Sequence, residues 1–308
     1  MRMSDVFKRI LVTILRVKPK ILSAEEKEKM KRKLTEINRT HDRDITTGDK
    51  GLIEGLKLEE EKLSNCSGWF VSKEGNPEDR IIYYIHGGGF VNSYTRDRMS
   101  FVSYIVKKFG YNVFSIDYRL APEFMFPCAP EDCLEGYELL LSKYDSKKIV
   151  VIGESAGGTL SFVLSLMLRD KGMPQPAALY PNSPATQLIE YTESYRKYSL
   201  KTDFIVTEGI IENMMGIYFN PEDGKNPYVS PLYGELSGLA PVTITASNCE
   251  CLLDDSVMMY EKLKEAGNDV TLKIYDGLCH AFIISPQMKE VVRDAYPDLQ
   301  AFLDKYLG

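Results

Sequence analysis

The stretch that decides the fold is KKIVVIGESAGG, residues 147–158. Its apolar run is typical of a buried strand, and a helical pattern follows it directly. Between the two, Gly153, Ser155 and Gly157 match G-x-S-x-G in the strand–turn–helix setting that gives this pattern its meaning. Glycines are needed there because side chains beside the serine would clash in a tight, strained turn. Ser155 is therefore the candidate nucleophile, at the positive end of the following helix.

Short β-rich runs alternate with helical stretches after about residue 65. Strands are predicted at residues 69–71, 81–85, 113–117, 149–152, 177–180, 242–246 and 270–275. Helices are predicted at residues 97–109, 130–142, 156–171, 254–266 and 288–306. Several strands are continuous apolar runs, as expected for strands covered on both faces. The alternation predicts an α/β protein with a mostly parallel central sheet and helices on both faces.

One segment interrupts the alternation and suggests a cap. Residues 184–225 are rich in Tyr and Met, and we predict an inserted helical cap segment there. Residues 1–60 are predicted as an N-terminal helical cap segment, which leaves residues 61–183 and 226–308 as the core. Aromatic and Met side chains of the insertion either line a substrate pocket or form the insertion's own core; they are Tyr191, Tyr195, Tyr198, Phe204, Met214, Met215, Tyr218 and Phe219.

The N-terminal arm is basic, with 11 Lys and Arg against 4 Asp and Glu in residues 1–33. Residues 6–17 have an amphipathic helical pattern that ends before Pro19, and Ser23 and Glu26 form a capping box for a second helix. The apolar run is too short for a secretory signal or a membrane span. Two interpretations remain. The favoured one is two helices packed on the domain; the other is weak contact of the first helix with a membrane surface.

Composition excludes several classes of protein. The 308-residue chain is 44% hydrophobic and 27% charged, close to ordinary globular values. Its net charge of −6 does not favour nucleic-acid binding. Six cysteines are too few for a disulfide scaffold and no C-x-x-C pair occurs, so reduced thiols in a cytoplasmic protein are expected.

A glycine-rich loop follows the predicted strand at residues 81–85 and reads His86-Gly-Gly-Gly-Phe90. No Gly-Lys-Ser/Thr follows, so a phosphate-binding P-loop is rejected. Backbone without side chains can instead direct N–H groups at a developing oxyanion. His-Gly-Gly-Gly upstream of a nucleophile turn is the form this loop takes in esterases. We expect His86 to hold the loop rather than to act as the base.

The general base follows from elimination among three histidines. His41 lies in a charged segment and is expected to be a solvated surface residue. His280 follows the last predicted strand, where an α/β-hydrolase needs its histidine. The acid should follow a strand between the serine and the histidine, and Glu250 comes soonest after one. Asp254 is the alternative, although it and Asp255 also suit the start of the next helix.

Five motifs occur in order between about residues 81 and 282, namely HGGGF (86–90), DYRLAPE (117–123), GESAGG (153–158), NPYVSPL (226–232) and GLCHAF (277–282). With them the chain resembles the hormone-sensitive lipase-like family of α/β-hydrolases. The resemblance implies an α/β-hydrolase fold, a serine carboxylesterase and a cap built from the N-terminus and an insertion. It also implies an oxyanion hole made by the backbone N–H groups of Gly88, Gly89 and Ala156.

The chain departs from the family pattern at the acid. The family usually has G-x-x-D-P-L-x-D-E, whereas here Glu250 replaces the Asp and Cys251 replaces the Pro. Glu is one methylene longer, so its loop must sit further back to keep a hydrogen bond to His280. In DYRLAPE, we expect Asp117, Arg119 and Glu123 to form a polar network that supports the oxyanion loop. No metal or organic cofactor is expected, since the cysteines lack ligand spacing.

The expected activity is hydrolysis of short- to medium-chain acyl esters through a Ser-His-acid triad and an acyl-enzyme. The alternative is amidase or deacetylase activity in the same site, because the same triad can protonate a poorer leaving group. A ligand-binding receptor is a further alternative, since the plant gibberellin receptor resembles this family but lacks the catalytic His. The partners expected are a small-molecule ester and, as in many members of the family, a second copy of the chain.

Overall fold

The computed structural model describes residues 21–40, 50–92 and 96–308. Its strands are β1 (Lys57–Lys62), β2 (Ser67–Ser72), β3 (Ile81–Ile85), β4 (Val113–Asp117), β5 (Ile149–Glu154), β6 (Ala178–Asn182), β7 (Val242–Ser247) and β8 (Val270–Tyr275). Its helices are α1 (Ala24–Thr40), α2 (Lys50–Ile53), α3 (Arg96–Tyr104), α4 (Cys128–Leu141), α5 (Ala156–Asp170), α6 (Glu193–Tyr198), α7 (Ile210–Met214), α8 (Leu253–Glu265) and α9 (Tyr296–Leu307).

The eight strands form one sheet in the order β1-β2-β4-β3-β5-β6-β7-β8. Strand β2 runs antiparallel to both β1 and β4, and the other neighbours are parallel. The predicted mostly parallel sheet is therefore confirmed, and all seven predicted strands are present. Strand β1 was not predicted, because its sequence KLEEEK is charged and largely exposed at the sheet edge.

Both faces of the sheet are covered, as predicted. Along β3, Ile81, Tyr83 and Ile85 pack into one core while Ile82 and Tyr84 pack into the other, since successive side chains of a strand alternate. The first core also receives side chains of α4, α5 and α8, and the second receives those of α3 and α9. The helices thus lie on both faces and leave the carboxyl ends of the parallel strands free to carry a site.

The predicted helices are present with shifts of a few residues at their ends. Two of them include a π-helical turn: one, Ile105–Phe109, follows α3, and the other lies in the helix predicted at residues 288–306. There, a π-helical turn at Val291–Ala295 precedes α9, which contains Pro297 near its start. Proline has no N–H and its ring crowds the carbonyl four residues earlier, so a wider turn is a natural way to enter this helix.

The N-terminal segment contacts the rest of the chain through α1. The predicted capping box is confirmed: the Ser23 N–H donates to Glu26 Oε2 at 2.9 Å, and the Glu26 N–H donates to Ser23 Oγ at 3.3 Å. The first predicted helix, within residues 1–20, lies outside the described residues, as does His41. Strand β1 begins at Lys57, so the sheet starts before the predicted boundary at residue 60. No described helix is long and apolar enough to cross a bilayer.

The insertion at residues 184–225 lies between β6 and β7 and contains α6, α7 and a 3-10 turn at Pro221–Asp223. Tyr195, Tyr218 and Phe219 are fully buried and join the core on the α4–α5–α8 face of the sheet. For these three residues the structure favours a packing role. Phe204, in contrast, is 43% exposed.

Asp255, at the start of α8, fastens the beginning of the insertion to the core. Its side chain is fully buried, and Oδ1 accepts hydrogen bonds from the N–H groups of Thr186 at 2.9 Å and Gln187 at 3.2 Å. Burial raises the pKa of Asp255 to about 7, although these N–H groups favour the carboxylate. The carboxyl group that anchors the insertion therefore titrates near neutral pH.

This anchor predicts a specific pH dependence of stability. Between about pH 4 and about pH 7, the unfolded chain loses the Asp255 proton while the folded protein keeps it, so the wild-type free energy of unfolding falls as pH rises. Asp255→Asn keeps an acceptor at Oδ1 and removes the titration. We expect its free energy of unfolding to rise relative to wild type across that range, as measured by urea unfolding.

Asp254→Asn is the matched control, because Asp254 is the adjacent acid and accepts a hydrogen bond from the Ser194 N–H at 2.7 Å. It should leave the wild-type pH dependence in place. Parallel stability curves for wild type and Asp255→Asn would contradict the assignment.

Candidate active site

Ser155 lies in the turn between β5 and α5 with φ of 54° and ψ of −122°, a strained conformation for a residue with a side chain. The turn is possible because the residues two positions before and two positions after the serine have no Cβ. A Cβ on Gly153 would lie 2.2 Å from the carbonyl oxygen of Gly157, and one on Gly157 would lie 2.0 Å from that of Ile85. The serine N–H donates to the Asn182 carbonyl at 2.8 Å, which ties the turn to the end of β6.

The structure brings Ser155, His280 and Glu250 together. His280 Nε2 lies 2.9 Å from Ser155 Oγ, and Nδ1 lies 2.7 Å from Glu250 Oε2. The three residues follow β5, β8 and β7, so parallel strands deliver them to the same edge of the sheet. Because both ring nitrogens have a partner, the imidazole can take a proton from the serine while the carboxylate fixes its orientation.

Asp254, the alternative acid, does not occupy this position. Its Oδ2 accepts a hydrogen bond from the Ser194 N–H, at the start of α6 in the insertion. Its place in the first turn of α8 is the structural role that the sequence also allowed. The Asp254 side chain therefore joins the insertion to the core, and Glu250 is the acid beside His280.

The other oxygen of Glu250 is held by the neighbouring loops. Oε1 accepts from the Ser247 N–H at 2.7 Å and from Ser183 Oγ at 3.0 Å, and the residue is fully buried. Ser183 Oγ also accepts from the Ala281 N–H at 3.1 Å, next to the histidine. A single hydroxyl thus contacts both the acid and the loop that carries the base. The longer side chain of Glu is in this way held in one orientation toward His280.

Burial and nearby charges act on His280 in opposite directions. Burial alone lowers the pKa of His280, because the charged ring loses solvation. The hydrogen bond and charge of Glu250 raise it, and the charges of Asp203 and Glu154 add to that effect. The net result is a pKa above the ordinary value for histidine, so the site favours the imidazolium that forms when the ring accepts a proton.

The glycine-rich loop has a run of positive backbone φ angles. Gly88 and Gly89 have φ of 106° and 61°, values that favour glycine, and Phe90 follows at 62°. No described residue accepts a hydrogen bond from the N–H groups of Gly88, Gly89 or Ala156. Ala156 begins α5 directly after Ser155, so its N–H belongs to the positive end of the helix.

Several side chains hold this loop from outside. Glu154, fully buried, accepts from the Gly87 N–H at 2.7 Å and from Arg98 Nε at 2.9 Å. Asn38 of α1 donates to the Val91 carbonyl at 2.9 Å, which connects the N-terminal helix to the end of the loop. Sequence analysis missed these residues and Ser183. Only Glu154 had a local signal, its place inside the G-x-S-x-G motif.

His86 contacts the loop and the strand ends beside it. Its Nδ1 lies 2.7 Å from the Gly87 carbonyl, its ring stacks on Tyr118 at a centroid distance of 4.2 Å, and Nε2 lies 4.0 Å from Asp117 Oδ1. The Tyr118 hydroxyl donates to the His86 carbonyl at 2.9 Å. The serine contacts a different histidine, His280, so these contacts fit a role for His86 in holding the loop.

The polar network expected within DYRLAPE is corrected. Among the described residues, Arg119 pairs with Asp132 of α4 at 2.7 Å, and Glu123 pairs with Arg39 of α1 at 2.5 Å. Arg119 and Glu123 therefore bind neighbouring helices rather than each other. The motif still contacts the glycine-rich loop through its backbone, because the Ala121 N–H donates to the Phe90 carbonyl at 2.9 Å.

Comparison with known proteins gives a consistent result. A family model described as alpha/beta hydrolase fold matches residues 82–284. Esterase LipU of Mycobacterium tuberculosis is 31% identical over 238 residues, covering 73% of this chain and 79% of that protein. Ethyl acetate hydrolase of Pseudomonas putida is 27% identical over 222 residues, covering 70% and 68%. The crystal structure of an esterase from the bacterial hormone-sensitive lipase family has a TM-score of 0.79 at 27% identity, over 100% of both chains.

The sheet, the turn at Ser155 and the family match define an α/β-hydrolase. Within that class, the chain belongs to the hormone-sensitive lipase-like family of esterases, as its motifs indicated. It is an enzyme of the carboxylic ester hydrolase type.

The close contact behind the serine turn is directly testable. In Gly157→Ala, the new Cβ meets the Ile85 carbonyl and the backbone of His86, so the first turn of α5 must shift and carry Ser155 with it. We expect a loss of about 3 kcal/mol or more in the free energy of unfolding, together with loss of esterase activity. In Gly158→Ala, the nearest atom is Pro184 Cβ at 3.1 Å, and a smaller loss is expected. Equal unfolding midpoints for wild type and Gly157→Ala would contradict this account.

Proposed function

We propose that this esterase hydrolyses short- to medium-chain acyl esters, with Ser155 as nucleophile, His280 as base and Glu250 as acid. The observation that carries the proposal is the continuous hydrogen-bond chain from Ser155 Oγ through the His280 ring to Glu250 Oε2, with distances of 2.9 and 2.7 Å. A short acyl group is supported by the name of one relative, an ethyl acetate hydrolase.

The reaction proceeds as a two-step acyl transfer. Ser155 Oγ attacks the ester carbonyl while His280 Nε2 takes its proton, and Glu250 stabilises the resulting imidazolium. The N–H groups of Gly88, Gly89 and Ala156 donate to the oxyanion of the tetrahedral intermediate; one such donor contributes about 3 kcal/mol. The alcohol leaves with the proton from His280. Water then attacks the acyl-enzyme by the same steps and releases the acid.

The remaining expectations concern the surroundings of the enzyme. A cytoplasmic location is supported by six cysteines that are all free thiols. A homodimer, and weak contact of the N-terminal segment with a membrane surface, stay predictions. The cap, formed by α1 and the 184–225 insertion, is proposed to enclose the acyl group, and its Tyr218 ring stacks on Phe90 of the oxyanion loop at 3.8 Å.

The direct test uses p-nitrophenyl esters from acetate to laurate with a panel of variants. Wild type should cleave the short esters best. Ser155→Ala should lower kcat by about 10⁶-fold, as loss of the nucleophile does in other serine hydrolases. Glu250→Gln keeps the size of the side chain but removes the charge that fixes the imidazole, and we expect a fall of about 10⁴-fold.

Asp254→Asn is the matched control for Glu250→Gln, since the two acids lie four positions apart and only Glu250 contacts His280. Its kcat should stay close to wild type. Full activity in Ser155→Ala would refute the proposal, as would a folded wild-type protein that cleaves none of the esters. A larger loss of kcat in Asp254→Asn than in Glu250→Gln would assign the role of triad acid to Asp254.

The pH dependence of kcat/KM should report the state of His280. The base acts only as neutral imidazole, and Glu250 together with the other charges raises its pKa above the ordinary 6.5. Activity is therefore expected to rise with pH through a midpoint above 6.5 and to be lost below it. Initial rates at low substrate concentration, from about pH 5 to about pH 9, measure this midpoint. A midpoint at or below 6.5 would contradict the electrostatic account.

A further inference from the structure

The loop that carries Glu250 is held by the insertion on both sides of that residue. Thr202 Oγ1 donates to the Cys249 carbonyl at 2.8 Å, and Asp203 Oδ2 accepts from the Cys251 N–H at 2.9 Å. Two adjacent residues of the insertion therefore bind the two peptide groups that flank the acid. The insertion contacts the catalytic machinery itself, in addition to any pocket it lines.

Asp203 is buried, and both of its carboxylate oxygens accept hydrogen bonds. It is 3% exposed, and its second oxygen, Oδ1, accepts from the N–H groups of Ile205 at 2.9 Å and Val206 at 3.0 Å. All three of these hydrogen bonds come from backbone donors, which suits a carboxylate. No cation among the described residues pairs with it. The side chain thus fixes the fold of the insertion and the position of the acid loop with the same carboxylate.

The charge of Asp203 also acts on His280. Burial lowers the pKa of this ring; Glu250 contributes most to raising it, and Asp203 and Glu154 follow. Of the latter two carboxylates, Glu154 is paired with Arg98 at 2.9 Å, so part of its field is cancelled. Asp203 has no such described partner, so its field is not offset in this way.

We propose that Asp203 is a positioning residue for the catalytic acid: it fixes the peptide that follows Glu250 and places a second negative charge where it stabilises the His280 imidazolium. This role rests on the proposed function, because it requires His280 to act as the base. Thr202 contributes to positioning alone: its hydroxyl binds the Cys249 carbonyl, which precedes Glu250, and it carries no charge.

The two parts can be separated with three variants. Asp203→Asn removes the charge and leaves one acceptor oxygen for the three backbone donors; Thr202→Val removes one hydrogen bond and no charge. Glu193→Gln removes a charge from an exposed residue of the same insertion and is the matched control. The measurements are kcat, KM and the pH profile of kcat/KM on p-nitrophenyl acetate, with thermal unfolding to establish that each variant is folded.

For Asp203→Asn, we expect kcat to fall by about 10-fold, because the acid is less well placed. The acid limb of kcat/KM should also move to lower pH by about 0.5 to 1 unit, because a negative charge that favours the imidazolium is gone. For Thr202→Val, we expect a lower kcat with an unmoved limb. Glu193→Gln should match wild type in both.

If the acid limb of kcat/KM for Asp203→Asn has the same midpoint as in wild type, the electrostatic part is overturned. Loss of a merely structural residue would leave that midpoint unchanged. If Asp203→Asn does not fold, Thr202→Val decides the positioning part: a lowered kcat at unchanged KM supports it, and wild-type kcat overturns it. A wild-type protein without esterase activity would defeat the proposed function and this role with it. An active wild type with unaffected variants would defeat only the role of Asp203 and Thr202.

Discussion

The catalytic arrangement depends on the close approach of the first turn of α5 to the end of β3. A Cβ on Gly157 would lie 2.0 Å from the Ile85 carbonyl, so only glycine fits at this position in the first turn of the helix. This approach allows Ser155 to keep a positive φ and to present its hydroxyl above the sheet. It also brings the helix N-terminus beside the glycine-rich loop, as the proposed oxyanion hole of the Ala156 N–H and the loop N–H groups requires.

The exchange of Asp for Glu at the acid position is accommodated by the neighbouring loops. A longer side chain has one more torsion to fix, and an unfixed carboxylate would lose orientation at the imidazole. Here Ser247 and Ser183 bind Oε1, which leaves Oε2 directed at His280. Because Ser183 Oγ also accepts from the Ala281 N–H, the acid and base loops share a support. The substitution thus alters the reach of the acid and keeps its contact with the base.

Elements with a local signal in the sequence could be predicted closely. The strands with continuous apolar runs, the capping box at Ser23 and the glycine pattern around Ser155 all depend on neighbours in the chain. Strand β1 was missed because KLEEEK pairs at an exposed edge and needs no apolar pattern. Ser183, Asn38 and Asp203 were missed because their partners lie between 48 and 98 residues away, and no spacing rule connects such contacts.

The N-terminal helix and the insertion hold two sides of the proposed catalytic centre. Helix α1 binds the end of the glycine-rich loop through Asn38, while the insertion binds the loop of Glu250 through Thr202 and Asp203. A substitution in either segment can therefore change the placement of a catalytic group as well as the shape of the pocket. This constrains how the cap can vary to accept a new substrate. Residues that face the acyl group can change. Residues that hold the two loops must keep their hydrogen bonds if kcat is to be preserved.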